Sequence, residues 1–339
     1  MIYEVEFATG LLDIVRDEVI TCIGNDGRII GSYRDDSLQF TFNGDFNSLL
    51  NLQTVIAVYR VMQFDIPRPK ALLGHEHFHR LMDVIEPLLE IQSYKSLYLS
   101  AAGSESSVML RIKSELSRYL GLEIAEDEGD LLLRMRRTPK TRQGWDVLVR
   151  LTARPLATRD WRVCNYEGAL NASVAAAMVK LSNPTPQDRF LNIACGSGTI
   201  LIERLHHGQC EFMIGCDISE DAVYCSTLNL QASNPENIQL IQTDGIQLPL
   251  ANDSIDKLIA DLPFGHLSGS HDENEWLYPA IMTESARIAC KGALFIIITH
   301  EIRLMETILA STTNWKFKDE PIKITLSGLH PRIYILERQ

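Results

Sequence analysis

Apolar residues recur with two different periods along this chain, and the two periods predict two kinds of architecture. In the first half, helical spacing predicts an amphipathic helix flanked by strands rich in β-branched and aromatic residues. The residues that share the helix face are Leu11, Leu12, Val15, Val19 and Ile20. In the second half, short and almost wholly apolar strands alternate with polar turns and helices. This order predicts a mixed α+β arrangement followed by a doubly wound α/β sheet.

A proline-rich stretch divides the first half into two predicted units. The first unit is expected to contain strand 2–7, helix 11–22, strands 28–33 and 38–42, a short helix 46–52 and strand 55–64. After Pro67-Arg68-Pro69, the second is expected to contain helix 77–92, strand 96–101, helix 106–120 and strands 131–136 and 146–152. We therefore predict domains at residues 1–66, 67–165 and 166–339.

A glycine turn follows the helix predicted at residues 168–181 and the strand predicted at 190–193. Its glycines allow the backbone to approach a ligand, and the N-terminus of the next helix presents free N–H groups. A dinucleotide-binding fingerprint has a third glycine where this chain has Leu201, so the turn favours S-adenosylmethionine over a dinucleotide. The predicted cofactor-binding residues of the turn are Asn192, Ala194, Cys195, Gly196, Gly198 and Thr199.

Acidic residues follow the next two predicted strands. Asp217, with Ile218 after it, ends strand 211–217 at close to the offset of about 20 residues expected for a ribose-binding carboxylate. Asp244, with Gly245 after it, follows strand 238–242 and is placed to accept a hydrogen bond from an adenine amine. Because open α/β sheets bind ligands along the carboxyl edge of their strands, we expect these residues to converge in one crevice.

The tetrad Asp261-Leu262-Pro263-Phe264 closes the strand predicted at 257–260. An exocyclic amine on a base is a poor nucleophile, because its lone pair is delocalised into the ring. The Asp261 carboxylate and the Leu262 carbonyl can accept hydrogen bonds from such an amine and orient it. Pro263 restricts the backbone, and Phe264 offers a face on which a base can stack. Taken alone, the tetrad is equally consistent with a turn that buries a phenylalanine; as the last of four strand ends, it predicts a catalytic site.

These motifs resemble the methyltransferase domain of the RNA guanine-N2 methyltransferases that carry a THUMP domain. The likeness covers residues 168–339 and rests on Gly196 and Gly198, on Asp217 and Asp244, and on the tetrad. It implies a class I S-adenosylmethionine-dependent fold and methyl transfer to the N2 amine of guanosine, with the tRNA acceptor stem as the expected target. Residues 67–165 resemble the THUMP domain, and the residues before them resemble, in layout, the ferredoxin-like module that often precedes it.

One departure from the family pattern lies in the cofactor turn. The family has Asp-Pro where this chain has Asn192-Ile193. An amide forms hydrogen bonds but supplies no charge. We therefore expect Asn192 to contact the methionine amino group of the cofactor and to bind it more weakly than an aspartate would.

The net charge of −12 argues against a nucleic-acid partner, because much of the affinity for nucleic acid comes from neutralising phosphates. The distribution of charge argues the other way, since basic residues between positions 134 and 162 are interrupted only by Asp146 and Asp160. The alternative is that these basic residues pair with the acidic run at 123–130. The predicted RNA-binding residues are Arg134, Arg136, Arg137, Lys140, Arg142, Arg159 and Arg162.

Composition narrows the class of protein. The 339 residues are 45% hydrophobic and 22% charged, as in a globular protein of two or three domains. No apolar run is long enough to span a membrane, and the first residues lack the basic start of a signal peptide, so we expect a cytoplasmic protein. Seven cysteines without C-x-x-C spacing argue against a disulfide framework and a zinc site. His75, His77 and His79 do not share a helix face, so we expect no metal.

The sequence therefore predicts an S-adenosylmethionine-dependent RNA methyltransferase that modifies the N2 amine of guanosine, with tRNA as partner. The alternatives are the same transfer to ribosomal RNA guanosine, to adenine N6 in DNA or to a protein amide. A further alternative is an RNA-binding protein whose methyltransferase domain has lost turnover. The sequence carries no signal for an oligomeric state.

Overall fold

The computed structural model describes residues 1–139, 144–233, 237–263, 270–325 and 328–339, and divides them into two units. The first unit holds residues 1–7 and 15–158, and the second holds residues 8–14 and 159–339. In the described parts of the chain, every helix is too short or too polar to cross a membrane bilayer.

The first unit is built on one eight-stranded sheet. Its elements are β1 (Ile2–Glu6), α1 (Leu12–Ile23), β2 (Gly27–Gly31), β3 (Ser37–Phe42), β4 (Ala57–Phe64), α2 (His75–Ile91), β5 (Ser96–Ala101), α3 (Ser107–Leu120), β6 (Glu123–Ile124), β7 (Leu131–Arg137) and β8 (Trp145–Arg150). Short 3-10 helices lie at Gly24–Asp26, Phe46–Asn51 and Pro69–Leu73.

The strand order in this sheet is β2-β3-β1-β4-β8-β7-β5-β6. The antiparallel pair of β4 with β8 joins strands from the two predicted N-terminal modules. The division of the unit at residue 66 therefore stays a prediction. Local signals set the ends of α3: the Ser106 side chain accepts a hydrogen bond from the N–H of Met109, and Gly121 ends the helix at a φ of 69°.

The second unit is the doubly wound α/β sheet that the sequence predicts. Its elements are α4 (Ala172–Leu181), β9 (Arg189–Ile193), α5 (Thr199–Leu205), β10 (Phe212–Asp217), α6 (Glu220–Ser233), β11 (Ile238–Gln242), β12 (Ile255–Asp261), α7 (His271–Ile288), β13 (Ala289–Thr299), α8 (Ile302–Ser311), β14 (Trp315–Lys323) and β15 (Arg332–Arg338). The strand order is β11-β10-β9-β12-β13-β15-β14.

The five neighbouring strands β11, β10, β9, β12 and β13 run parallel. Strand β15 pairs antiparallel with both β13 and β14. The chain order reverses between β9 and β12, and open α/β sheets bind ligands at such a switch point. Leu191 of β9 and Leu258 of β12 are fully buried in one apolar cluster, which explains why these strands read as continuous apolar runs. The packing of the sheet therefore fixes the positions of the strand ends that carry the predicted chemistry.

Candidate active site

A cavity of about 360 Å³ opens in the second unit at the carboxyl ends of β9, β10 and β12. Small-molecule sites commonly have volumes of about 300–1,000 Å³, so the cavity can hold a ligand of nucleoside size. Its wall consists of three strand-end segments and one segment that precedes α4. The lining residues are 166–170, 194–197, 199, 200, 217–219 and 261–263.

The turn after β9 has an unusual backbone. Ala194, Gly196 and Gly198 have φ angles of 52°, 54° and 79°. A non-glycine residue in this region is uncommon, and such strain clusters at functional sites. A Cβ on Gly196 would meet no atom within 4 Å, so a ligand can approach the backbone there. A Cβ on Gly198 would instead lie 3.0 Å from the Ser226 hydroxyl oxygen, so the turn is open at Gly196 and packed against α6 at Gly198.

Asp217, the last residue of β10, ties the glycine turn to the next loop. Its carboxylate accepts hydrogen bonds from the Gly196 N–H at 2.9 Å and from the Ser219 N–H at 3.0 Å. A carboxylate has about four lone-pair positions, so two acceptor positions remain on a side chain that lines the cavity. These acceptor positions fit the hydroxyl groups of a ribose, which would donate to them.

The predicted catalytic tetrad begins at the last residue of β12. Asp261, Leu262 and Pro263 line the cavity, and Phe264 lies outside the described residues. The Leu262 N–H donates a 3.1 Å hydrogen bond to the Ile298 carbonyl, which continues the ladder to β13 beyond the strand end. Burial raises the pKa of Asp261 to about 7. Its carboxyl can therefore exchange a proton near neutral pH, which suits a proton acceptor in a reaction.

Residues 166–170 form a wall of the cavity that sequence reasoning missed. The predicted helix at 168–181 begins instead at Ala172, because the Asn171 side chain caps it by accepting a hydrogen bond from the Ser173 N–H at 3.0 Å. The Tyr166 hydroxyl donates to the Ser219 hydroxyl at 3.2 Å, which links this wall to the loop after β10. The sequence feature that could have indicated this wall is Gly168, because glycine is common in turns and unfavourable inside a helix. In the structure its φ is 76°, as in a turn.

A disulfide between Cys164 and Cys225 holds the chain just before this wall against α6. The cysteine spacing argued against a disulfide framework and gave no indication of this single bond. The two residues are 61 positions apart and come together only in the fold, so their spacing could not reveal the pair. Asn229 adds to the tether, because its amide donates to the Cys164 carbonyl and to the Ser197 carbonyl, each at 3.0 Å. The wall and the glycine turn are therefore joined through one helix.

Asn192 does not line the cavity, and its contact with the cofactor stays a prediction. Its side chain is fully buried inside the sheet. The amide donates to the Ile193 carbonyl at 3.2 Å and to the Ile259 carbonyl at 3.0 Å, and thereby links β9 to β12. The residue faces the interior because it belongs to the strand rather than to the turn that follows.

The other predicted cofactor residues divide into two groups. Ala194, Cys195, Gly196, Thr199, Asp217 and Ile218 line the cavity. Gly198, Asp244 and Gly245 lie outside the lining of this cavity, as far as the described residues show, and their roles stay predictions. Burial raises the pKa of the Cys195 thiol, which argues against a nucleophilic thiolate. Within the described ranges, no group of three or more His, Cys, Asp or Glu side chains could hold a metal ion.

Two of the predicted RNA-binding arginines have internal partners in the second unit, and their role in RNA binding stays a prediction. Arg159 pairs at 2.8 Å with Glu203, a fully buried residue of α5, and its own side chain is 9% exposed. Arg162 donates to the Leu170 carbonyl and to the Thr199 hydroxyl, each at 3.0 Å. The Arg162 guanidinium therefore links the cavity wall to the first residue of α5, and the Arg159 guanidinium is held by the same helix.

The remaining predicted arginines lie on or after β7 in the first unit. Arg134 pairs with Glu6 at 2.8 Å, and Arg136 pairs with the buried Glu4. Arg137 is exposed, with its guanidinium 4.4 Å from the centre of the Trp145 ring. Lys140 and Arg142 lie outside the described residues. Arg134 and Arg136 pair here with carboxylates of β1, whereas Arg150 donates to the Gly129 and Asp130 carbonyls at the end of the acidic run.

Comparison with known proteins agrees with this fold and site. The family model of the RMKL-like methyltransferase domain matches residues 159–330, half of the chain. The crystal structure of TrmN from Thermus thermophilus superposes with a TM-score of 0.76 at 19% identity, and the match covers 100% of this chain and 99% of that chain. The fold and the cavity thus define a class I methyltransferase. The chain belongs to the family of RMKL-like methyltransferase domains.

Two curated relatives each match about half of the chain. The tRNA (guanine(6)-N(2))-methyltransferase THUMP3 of Mus musculus is 27% identical over 182 residues, which cover 50% of this chain and 36% of the relative. The tRNA (guanine(6)-N2)-methyltransferase of Methanocaldococcus jannaschii is 25% identical over 221 residues, which cover 53% of this chain and 57% of the relative. The chain thus spans less than two thirds of the length of either relative.

Proposed function

We propose that this protein is a cytoplasmic S-adenosylmethionine-dependent methyltransferase that modifies the exocyclic N2 amine of guanosine in RNA, with the tRNA acceptor stem as its target. The observation that carries the proposal is one cavity lined by three groups of residues. These are the open glycine turn, the Asp217 carboxylate and the Asp261-Leu262-Pro263 turn. The first two groups suit an adenosine cofactor, and the third suits an amine.

The cofactor would be held by the turn after β9 and by Asp217. The bare backbone at Gly196 gives room for close approach, and the two remaining acceptor positions of Asp217 match two ribose hydroxyls. The exposed side chain of Ile218 follows Asp217 on the wall and offers an apolar face to the base. When bound, S-adenosylmethionine supplies a methyl group whose bond to sulfur breaks as a bond to nitrogen forms, so that sulfur leaves as a neutral thioether.

Asp261 and Leu262 would act on the acceptor amine. The ionised Asp261 carboxylate and the Leu262 carbonyl can accept the two amine hydrogens, which holds the nitrogen lone pair toward the cavity. Orientation of this kind can contribute about 7–11 kcal/mol to lowering a barrier. The methylated nitrogen must lose a proton, and a carboxyl with a pKa of about 7 can accept it.

The choice of RNA rests on the relatives and on the first unit. Both curated relatives are named as guanine-N2 methyltransferases of tRNA. Residues 67–165 resemble a THUMP domain in sequence, and within them the exposed Arg137 lies over the Trp145 ring. A stacked guanidinium beside an aromatic ring is a common contact surface for single-stranded RNA.

Labelled methyl transfer to bulk tRNA, followed by nucleoside mass spectrometry, tests the proposal. We expect label in N2-methylguanosine from tRNA and none in DNA or protein incubated in parallel. Label in N6-methyladenine, in a protein amide or only in ribosomal RNA would replace the proposed substrate. Binding of S-adenosylmethionine without transfer to any of these would favour an RNA-binding protein that lacks turnover.

Methyl transfer should depend on pH through Asp261. Its pKa is raised to about 7, so the carboxylate is ionised and able to accept hydrogen bonds above that value and protonated below it. We expect kcat/KM to fall about tenfold between pH 8 and pH 6, as the ionised fraction falls. In Asp261→Asn, which keeps an oxygen acceptor but cannot titrate, the profile should be flat over this range. An equal slope in both proteins would assign the pH dependence to another group.

RNA binding should weaken in Arg137→Gln. Loss of one phosphate contact should raise the Kd for tRNA a few-fold and reduce the slope of log Kd against log salt by about 0.7–0.9. Fluorescence anisotropy with labelled tRNA at several salt concentrations measures both quantities. The matched control is Arg118→Gln, because Arg118 is 77% exposed on α3 and paired with Glu115. An unchanged slope for Arg137→Gln, or an equal change for the control, would contradict the assigned contact.

A further inference from the structure

The carbonyl of Pro263 accepts two hydrogen bonds from one face of α7. The Tyr278 hydroxyl donates to it at 2.7 Å, and the Asn274 amide donates to it at 3.0 Å. Both residues are fully buried. A carbonyl oxygen has two lone pairs, so both acceptor positions of Pro263 are occupied.

The sequence places these two donors on the same side of the helix. Ser270 caps α7 by accepting a hydrogen bond from the Glu273 N–H at 3.2 Å, which fixes the first turn. Residues four apart on a helix share a face, so Asn274 and Tyr278 both point toward the strand end of β12. The amide orientation of Asn274 is also determined, because its nitrogen faces two acceptors, the Pro263 carbonyl and a Glu301 carboxylate oxygen at 3.4 Å.

The Tyr278 hydroxyl is the middle of a directed chain of hydrogen bonds. The Glu301 N–H donates to the Thr299 hydroxyl oxygen at 2.9 Å, and the Thr299 and Tyr278 hydroxyls lie 2.7 Å apart. The Pro263 carbonyl can only accept, so Tyr278 donates to it and Thr299 must donate to Tyr278. Burial also raises the pKa of Tyr278, so its hydroxyl stays a donor near neutral pH. The chain therefore runs in one direction from the start of α8 to the turn.

These contacts restrict the backbone between Leu262 and Pro263, and this part of the backbone determines where the Leu262 carbonyl points. The Leu262 N–H is held by the Ile298 carbonyl at 3.1 Å. The proline ring fixes φ of Pro263. With the Pro263 carbonyl also held, the peptide between the two residues has little freedom left. The Leu262 carbonyl itself has no hydrogen-bond donor in the described part of the chain, which leaves it available to a ligand in the cavity.

We propose that Asn274 and Tyr278 are positioning residues that hold the Pro263 carbonyl and thereby aim the Leu262 carbonyl at the acceptor amine. The inference rests on the proposed function, because it assigns to Leu262 a contact with the substrate. The hydroxyl of Tyr278 acts through the turn and does not touch the reacting atoms. Its loss should therefore lower kcat more than it affects cofactor binding.

The first test is Tyr278→Phe, with Tyr334→Phe as the matched control. Tyr334 is also fully buried in the second unit, but its hydroxyl is not part of this chain of hydrogen bonds. Misplacement of a reacting group by about 1 Å can cost about 100-fold in rate, so we expect Tyr278→Phe to lower kcat about 10- to 100-fold. The Kd for S-adenosylmethionine should change less than about threefold, and Tyr334→Phe should leave kcat nearly unchanged.

The second test uses the next residue in the chain. Thr299→Val keeps the shape but removes the hydroxyl that donates to Tyr278, whereas Thr299→Ser keeps it. We expect Thr299→Val to lower kcat in the same way as Tyr278→Phe and Thr299→Ser to restore it. All rates are expressed per S-adenosylmethionine-binding site, which removes the contribution of unfolded protein.

Equal kcat values for Tyr278→Phe and Tyr334→Phe would overturn the inference, as would equal rates for the two Thr299 variants. Hydrogen exchange at the Leu262 amide provides a readout that does not need turnover. It should be faster in Tyr278→Phe than in Tyr334→Phe. If the native chain methylates no RNA, the proposed function fails, and exchange alone then decides whether the turn is held as inferred. Equal exchange in the two variants would show that it is not.

Discussion

Replacing Asp261 by alanine should lower methyl transfer by about three orders of magnitude or more, while the Kd for S-adenosylmethionine changes less than about threefold. The carboxylate lies at the carboxyl end of β12, on the cavity wall, and holds the acceptor amine in the proposed reaction. Removing it takes away both the orientation of the nucleophile and a proton acceptor. The cofactor contacts of the glycine turn and of Asp217 remain in place.

The fold should tolerate this change. An aspartate in the unfolded chain titrates near about 3.9, whereas burial raises the pKa of Asp261 to about 7 in the folded protein. Between these values the folded state binds more protons than the unfolded state, so stability falls as pH rises through this window. Above pH 7 the ionised carboxylate therefore weakens the fold. We expect Asp261→Ala to melt no lower than the native protein at pH 8.

Single-turnover transfer to tRNA and calorimetric titration with S-adenosylmethionine separate the two effects. The matched control is Asp319→Ala, which removes an exposed carboxylate from β14 of the same unit. It should leave both quantities unchanged. Loss of cofactor binding in Asp261→Ala would assign the residue to the cofactor site and contradict its role toward the amine.

The strand ends could be predicted from sequence because their signals are local. Asp217 and Asp261 each end a buried apolar strand, and parallel strands bring their carboxyl ends to one edge of a sheet. The glycine turn is likewise recognised within a few residues, because Gly196 and Gly198 are needed for positive φ. A run of local signals in the right order was therefore sufficient for the doubly wound sheet and for most of the cavity.

The contacts that the sequence did not indicate belong to side chains whose partners are far away in the chain. The sequence suggests that Arg159 is a surface cation. In the structure its side chain pairs with Glu203, which lies 44 residues later in the chain. The sequence suggests that Asn192 is part of the cofactor turn. In the structure its side-chain amide donates to the Ile259 carbonyl of the neighbouring strand. Cys164 and Cys225 form a disulfide, but their spacing in the sequence matches no motif that would predict the bond. Such contacts depend on which elements pack together, and no local pattern carries that information.

The same long-range contacts determine how the site is supported. Three of the basic residues between positions 134 and 162 pair with carboxylates inside the protein, namely Arg134 with Glu6, Arg136 with Glu4 and Arg159 with Glu203. Breaking a buried ion pair by removing one partner commonly costs about 3–5 kcal/mol. Substitution of Arg136 or Arg159 would therefore report on stability rather than on RNA. Exposed Arg137 is a cleaner probe of the RNA surface for this reason.

Replacing Asp217 by alanine should raise the Kd for S-adenosylmethionine about 100-fold or more. Hydrogen bonds to a charged group contribute about 1.5–3 kcal/mol each, and the two unused acceptor positions of this carboxylate match two ribose hydroxyls. The variant also loses the bonds from the N–H groups of Gly196 and Ser219, so the glycine turn loses part of its support. Turnover at saturating cofactor should fall much less than affinity, because Asp261 and the turn that follows it are unchanged.

A double-mutant cycle with a modified ligand separates the ribose contact from the support of the turn. We compare S-adenosylhomocysteine with an analogue that lacks both ribose hydroxyls, on native protein and on Asp217→Ala, by calorimetry. If Asp217 binds the ribose, removal of the hydroxyls should weaken binding to the native protein and have little further effect on the variant. Asp221→Ala, which removes an exposed carboxylate from the first turn of α6, should behave as native protein. An equal loss from the hydroxyls in native and variant protein would mean that Asp217 acts only by holding the glycine turn, and the ribose would then need another acceptor.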